Sequence, residues 1–357
     1  MLEQGHTLPF SWYSDPEQLR REQHLVFARS WQYAGRAAEV SEPGSFLATW
    51  AGDVPILVVR DREGALRAHL NVCRHRGSLL VEGCGRRETI QCGYHAWTYD
   101  LDGSLRAAPR SDREPGFDAA DWSLVPASVD TWGPFLFVNP APGAAPLADT
   151  LGELPDLLAR VIDVDSLAFH SRIRSDLAAN WKIAVENFLE CYHCPSAHPG
   201  FSAAVDVHPD RYVLEPHETF AAQLCAARDD GSGGQFHLVW PNTAINVFPG
   251  PANLSIGPIL PAGAERTTRY LDYFFAPDAD AATLAEFFAF DDQVGAEDTA
   301  LVEAVHRGMR SGLVEHGRLL LSSEALVHAF QRWLAGRLDD VLEHDPERLA
   351  VERDGAA

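Results

Sequence analysis

The chain has 357 residues, 46% hydrophobic and 22% charged, which is enough to bury a sizeable core and to fill about two domains. A net charge of −22 argues against a general binder of nucleic acid or of an anionic membrane. No run of 18 or more apolar residues occurs and no basic stretch precedes an apolar one at the N-terminus, so neither a membrane span nor a targeting signal is expected and the location reads as cytoplasmic.

In chain order, residues 15–33 predict a helix, with Asp15 as N-cap and Pro16 in the first helical position. From about 45 to 140, short runs such as PILVVR, TIQC and FLFVN, punctuated by Gly and Pro, predict a small turn-rich β domain. Residues 141–150 read as a linker, followed by helices at 151–162 and 177–193. Residues 211–275 return to β character, with a loop around Gly231–Gly234 that lacks the Lys and Ser/Thr of a phosphate loop. Helices at 284–310 and 322–344 precede a frayed tail. No internal repeat and no GxGxxG dinucleotide fingerprint is present.

Six cysteines are too few for a disulfide scaffold in a chain this long, and spaced Cys and His point to metal or redox chemistry. The β domain contains Cys73-x-His75 and, after sixteen intervening residues, Cys92-x2-His95. Each half supplies one thiolate and one imidazole on a short turn, a donor set open to a zinc ion or to a two-iron cluster. With Arg74, Arg76 and Gly77 in the first loop and Trp97 after the second, the pattern resembles the Rieske signature. The resemblance implies Cys73 and Cys92 on one iron and His75 and His95 on the other. Gly93 stands where Pro is common and Ala96 where Gly is common, and Cys84 between the loops is taken as ordinary.

A second constellation lies in ANWKIAVENFLECYHCPSAHP. On a helix, Glu186, Glu190 and His193 share a face, and Pro195 breaks the helix in a way that brings His198 back toward His193. A carboxylate beside two imidazoles is costly to bury unless a metal or partner neutralises it. Cys191 and Cys194 also form a CxxC, but without the βαβ context of a thioredoxin-like pair. A two-His iron site takes a carboxylate as third ligand, for which Asp291, Asp292, Glu297 and Asp298 are candidates. Asp298 recurs with Val302, Val305 and Met309 at helical spacing, which places it on an apolar, inward face.

The segment resembles the mononuclear iron motif of Rieske non-heme iron oxygenases, and the resemblance runs over nearly the whole chain. It implies His193, His198 and Asp298 as iron ligands and Glu190 as a bridging carboxylate, with His306 where Gln is frequent. Glu at 190 is similar to members that act on quaternary ammonium compounds, where ring-hydroxylating members carry Asp. The implied fold is α+β: a β-sandwich Rieske domain (38–145) inserted in a helix-grip, START-like catalytic domain with an antiparallel sheet (1–37 and 146–357). The implied cofactors are a [2Fe–2S] cluster, one mononuclear Fe(II) and O2. The implied partners are a small-molecule substrate, a ferredoxin or flavin reductase delivering NAD(P)H electrons, and two further copies in a head-to-tail homotrimer. In that ring Glu190 links His193 to a cluster histidine, His95 or His75, of the neighbouring chain. Seven Arg against three acids between residues 60 and 87 give a local +4, suited to an acidic electron carrier. Phe220, Phe236, Trp240, Phe248, Tyr270, Tyr273 and Phe274 are the expected cavity aromatics, equally suited to an arene or to a trimethylammonium group. The competing reading is a non-catalytic helix-grip ligand-binding protein with a structural metal site.

Overall fold

A computed structural model of the chain describes residues 2–226 and 233–344. The expected frayed tail and Gly231 and Ser232 of the expected loop at 231–234 lie outside the described residues. Two compact units result, one from residues 27–150 and one from the segments on either side of them. The first seam falls at 26/27 rather than at 37/38 because the first helix is shorter than its periodicity suggests. Asp15 caps it by accepting from the Glu17 N–H, and the helix ends at Leu25. Residues Gln32–Arg36 instead form a strand paired with Phe135–Asn139, where Tyr33 packs edge-on against Phe135 and Phe137. Sheet pairing overrides the helical pattern there. The expected linker ends early, in a short helix at Leu147–Leu151, which moves the second seam from 145/146 to 150/151.

The 27–150 unit carries a seven-stranded antiparallel sheet and a separate three-stranded sheet. The loop holding Cys73 follows strand Leu66–Leu70, and the loop holding Cys92 joins the two short strands Ile90–Gln91 and Thr98–Tyr99. Both cysteines sit in one core cluster with Trp97 and Tyr99.

The larger unit is built on a second seven-stranded antiparallel sheet that runs, edge to edge, from Ala168–Leu177 through Thr267–Phe275 and Asn253–Pro261 to Tyr212–Pro216. Strand Ala168–Leu177 is absent from the sequence reading. It is a largely solvated edge strand without apolar alternation, held in place in part by Arg172, which grips the buried Asp272 with two bonds of 2.6 Å. The expected helix 177–193 shrinks to Trp181–Phe188, capped by Asn180. It packs against the long helix Ala281–Met309 and strand Asn253–Pro261. The N-terminal helix is tied to it by charge: Glu22 accepts from Lys182 Nζ at 2.8 Å and from Trp181 Nε1 at 2.7 Å, and all three residues are fully buried.

Candidate metal centres

The two loops of the smaller unit have the same backbone design. Cys73 N–H donates to Ser78 O and Gly77 N–H to Cys73 O; Cys92 N–H donates to Trp97 O and Ala96 N–H to Cys92 O. The fourth residue after each cysteine is left-handed, Gly77 at φ +73° and Ala96 at φ +59°. Glycine adopts that conformation freely and alanine does not, so the departure at Ala96 has a local cost. Cys73 and Cys92 are buried, whereas His75 and His95 are exposed with ring centroids 4.6 Å apart. Tyr99 Oη lies 3.4 Å from Cys73 Sγ and accepts from the Arg74 N–H at 3.0 Å. Burial opposes ionisation of Cys92, yet the N–H groups of Tyr94 and His95 and the nearby Cys73 bring its thiol below the ordinary range. Among the described residues, the one group of three or more His, Cys, Asp or Glu whose ligand atoms converge within 4.8 Å is elsewhere, at His193, His198 and Asp298. Two inner thiols and two outer imidazoles that do not converge on one point suit a two-iron cluster better than a single tetrahedral ion.

In the larger unit the helix stops at Phe188, with Leu189 as its C-cap, so Glu190 and His193 are not on a helix face. A turn brings them together. Glu190 Oε2 accepts from the N–H groups of Tyr192 and of His193, the latter at 3.1 Å, and Oε1 pairs with His193 Nδ1. Cys194–Ala197 then forms one short helical turn with Pro195 in its first turn, which returns His198 toward His193 as expected. Cys191 and Cys194 are joined by a disulfide that brackets His193 in sequence, so the CxxC is a bonded pair in a turn.

Each imidazole has its Nδ1 committed to a carboxylate: His193 to Glu190, and His198 to Glu297 Oε2 at 2.7 Å. With the ring protons there, both Nε2 atoms present lone pairs to one point, 3.0 Å from each other. Asp298 Oδ1 completes the set, 3.0 Å from His198 Nε2 and 3.6 Å from His193 Nε2, and accepts from Asn187 Nδ2 at 2.7 Å. Two facing lone pairs and a carboxylate oxygen repel one another unless a cation or proton lies between them, and this donor set fits a metal ion. Burial lowers the His193 pKa, but Asp298 and Glu190 outweigh it and carry it up to about 9. Burial raises that of Asp298, and the two histidines and Asn187 outweigh it to hold the carboxyl well below its usual range.

Of the four carboxylate candidates, Asp298 faces the convergence point. Glu297 orients His198, and Asp291 accepts from Tyr273 Oη at 2.6 Å. Asp292 lines the adjacent cavity and is exposed. Asn187 and the orienting role of Glu297 were missed; the Glu297-Asp298 pair one helical turn past Gln293 was the available signal. The inward stripe also shifts: Val302 and His306 are buried, whereas Val305 is exposed.

Beside the triad lies a cavity of about 320 Å³. Phe236, Phe248, Tyr270 and Tyr273 line it as expected, joined by Phe201 and Tyr212. Phe220, Trp240 and Phe274 point elsewhere, Trp240 onto Phe330 and Trp333 and Phe274 onto Phe169. Phe274 alternates with the cavity-lining Tyr273 on its strand, and Trp240 lies just past the end of strand Gly234–Val239. No helix among the described residues is long and apolar enough to cross a membrane.

A Rieske [2Fe-2S] domain family matches residues 30–128, and the catalytic domain of the ring-hydroxylating alpha subunit matches 164–225 and 217–340. The carnitine monooxygenase oxygenase subunit of Acinetobacter pittii (strain PHEA-2) is 33% identical over 335 residues, 89% of each chain. Chloroplastic choline monooxygenase of Spinacia oleracea is 32% identical over 348 residues, 93% of this chain and 78% of that protein. The solved structure of the quaternary ammonium Rieske monooxygenase CntA in complex with L-carnitine superposes with a TM-score of 0.81 at 30% identity, covering 93% of this chain and 95% of that one. Naphthalene 1,2-dioxygenase from Rhodococcus sp. shares the fold, with a TM-score of 0.76 at 20% identity over 93% of this chain and 94% of that one.

Proposed function

The chain belongs to the Rieske non-heme iron oxygenases, and we propose that within this family it is a monooxygenase of trimethylammonium compounds. As a member it is an oxidoreductase that uses a [2Fe–2S] cluster, a mononuclear iron and O2, with electrons drawn from NAD(P)H through a reductase. When bound, the cluster would supply electrons one at a time and the iron would supply a site for O2 activation.

The geometry above supports the following residue assignment. Cys73, Cys92, His75 and His95 hold the cluster; His193, His198 and Asp298 hold the iron. Glu190 and Glu297 fix the two imidazoles by their Nδ1 atoms, which keeps Nε2 free for the metal. Asn187 holds the Asp298 carboxylate by its Oδ1.

The observation that carries the substrate class is the cavity beside the triad. Aromatic rings line it together with Asp291 and Asp292, two carboxylates outside the metal assignment. Rings offer their faces to a cation and the carboxylates offset its charge, which an uncharged arene does not require. The curated relatives named above act on carnitine and choline, both trimethylammonium compounds. Hydroxylation at a carbon bonded to nitrogen consumes one O2, two electrons and two protons and releases one water. The resulting carbinol then loses the amine by cleavage of the C–N bond.

The finer organisation belongs to the same reading. The enzyme works as a cytoplasmic homotrimer in which Glu190 links His193 to a cluster histidine of the next subunit. An acidic ferredoxin or reductase docks near Arg74 and Arg76, which stand over the exposed rings of Trp122 and Tyr94. Two of the five remaining Arg are already paired: Arg67 with Asp61 at 2.6 Å, and Arg62, 3.6 Å from Asp100.

The test supplies purified protein, a matched reductase, NADH and 18O2 with L-carnitine, choline or naphthalene. Cleavage of a trimethylammonium substrate with one 18O in the product supports the reading. An arene diol as the sole product overturns it.

A further inference from the structure

Arg269 is the one Lys or Arg among the residues lining the catalytic cavity. It lies on strand Thr267–Phe275 with Leu271 and Tyr273 on the same face, and both of those also line the cavity. Its Nε donates to Ser175 Oγ at 2.8 Å, which fixes the plane of the guanidinium. The four N–H groups on its two terminal nitrogens have no protein acceptor among the described residues, and no carboxylate lies within 4.0 Å of them.

The neighbouring acids form no ion pair with it among the described residues, although the charge of Arg269 is felt at Asp291. Asp291 accepts from Tyr273 Oη, and Asp298 is held by His198 and Asn187. The facing helix leaves room for the guanidinium: Gly295 is the residue opposite, and a Cβ there would already touch Arg269 Nη2 at 3.7 Å. A longer side chain at 295 would compete for that space. Gly295 is also three residues before Asp298, a rise of roughly 4.5 Å along the helix. The open fork therefore lies beside the helix segment that also carries Asp298.

A half-buried guanidinium with an unfilled fork is a costly arrangement unless an anion completes it, and a carboxylate matches the fork with two parallel hydrogen bonds. We infer that Arg269 is the specificity-determining residue that receives a substrate carboxylate, so that the preferred substrate is a short zwitterion with a trimethylammonium group at one end and a carboxylate at the other. The inference rests on the trimethylammonium reading above and narrows it. The acidic and aromatic parts of the cavity take the cation, and Arg269 takes the anion, which sets which carbon is presented to the triad.

The probes are γ-butyrobetaine and the trimethylammonium alcohol of the same chain length, 4-hydroxybutyl-trimethylammonium. Binding to the anaerobic holoenzyme is measured by calorimetry, and turnover with the matched reductase. The wild type is expected to bind the carboxylate probe roughly 10- to 100-fold more tightly than the alcohol, the range for one charge-assisted contact. Arg269→Gln should bring the ratio close to one, with the loss falling on the carboxylate probe. Arg269→Lys should restore part of it, because a point charge replaces a fork. A wild-type ratio near one, or an Arg269→Gln ratio equal to that of wild type, overturns the inference and leaves the trimethylammonium reading standing. Failure of both probes to bind overturns that reading together with the inference. If Arg269→Gln does not fold, the wild-type ratio and the Lys variant decide.

Discussion

Replacing Glu297 by Gln separates a carboxylate that orients a histidine from one that faces the metal. Glu297 and Asp298 are neighbours in sequence, and either satisfies a search for a third ligand by composition. Their geometry differs. Asp298 Oδ1 is 3.0 Å from His198 Nε2, on the side where the two imidazoles converge, whereas Glu297 Oε2 is 2.7 Å from His198 Nδ1, on the far side of the ring. Glu297 is itself held by Gln293, whose Nε2 donates to Oε1 at 3.0 Å. A Gln at 297 keeps an acceptor for Nδ1–H but removes the charge, so a charge-assisted bond becomes a neutral one. That difference is about 1 kcal/mol, or roughly five- to tenfold in iron affinity, toward the low end of the range for such supporting residues. Glu297→Ala removes the acceptor and should cost roughly 100-fold. Asp298→Ala removes one of three ligand atoms and should fail to retain iron through dialysis. Iron is followed by competition with a chelator, with the visible spectrum of the cluster as an internal standard of folded protein. If Glu297→Gln lost iron as completely as Asp298→Ala, or if Asp298→Ala bound iron as the wild type does, the assignment of the two carboxylates would be reversed.

Three further outcomes follow from the packing. Burial lifts the Glu186 carboxyl to about 7, against the partial relief of bonds from Tyr13 and Gln331 and the charge of Lys182. Its folded pKa exceeds its unfolded value, so its contribution is present at low pH and is lost as pH rises from about 4.5 through about 7. Glu186→Gln keeps an acceptor for both donors and should raise the unfolding free energy at pH 8 by about 2 kcal/mol, discounted for partial exposure, with little change at pH 4.5, as read by denaturant titration; equal shifts at both pH values would refute the ionisation argument. Lys182→Met strands the fully buried Glu22 and should cost about 3–5 kcal/mol in denaturant titration, recovered largely by adding Glu22→Gln. A single-variant cost below about 1 kcal/mol would show that the pair is not what holds the N-terminal helix. Ala96→Gly relieves a left-handed alanine at φ +59° and should stabilise the 27–150 unit by about 0.5–1 kcal/mol with the cluster spectrum unchanged; a loss of stability would mean the Ala96 methyl makes a needed contact.

The donor types and their spacing were legible in the sequence because they are local. Cys73, His75, Cys92 and His95 lie on two short loops, and His193 and His198 lie five residues apart across one proline. The larger strands from Tyr212 to Phe275 and the last two helices were legible for a related reason, since each buries one face and shows it in its period. What failed was long-range. Strand Ala168–Leu177 has its partner about a hundred residues away and little apolar pattern of its own. The first helix was overextended because Trp31 and Tyr33 suit either a helical stripe or a sheet, and only pairing with Phe135–Asn139 decides. Cavity aromatics were over-assigned for the same reason: period alone does not say which face of a strand meets the cavity and which meets another layer.

Glu190 shows a correct neighbourhood reached by a wrong route. The helical spacing that aligns it with His193 in the sequence does not apply, since the helix ends at Phe188. The contact survives because the turn has its own logic. A carboxylate with about four acceptor positions takes two backbone N–H groups and one imidazole N–H here, which leaves about one position open. The neighbouring Tyr192 is 59% exposed, so this turn reaches the surface. The Glu190 side chain itself is only 12% exposed, and a carboxylate held by three bonds is stiffer than one on an exposed helix face, where rotamer freedom would blur its position. That stiffness, with one acceptor position remaining, is what a bridge between an imidazole at the iron and an imidazole on a neighbouring subunit requires. A helix face would have supplied the proximity without the rigidity, so the irregular turn supports the proposed bridging role better than the helix it replaces.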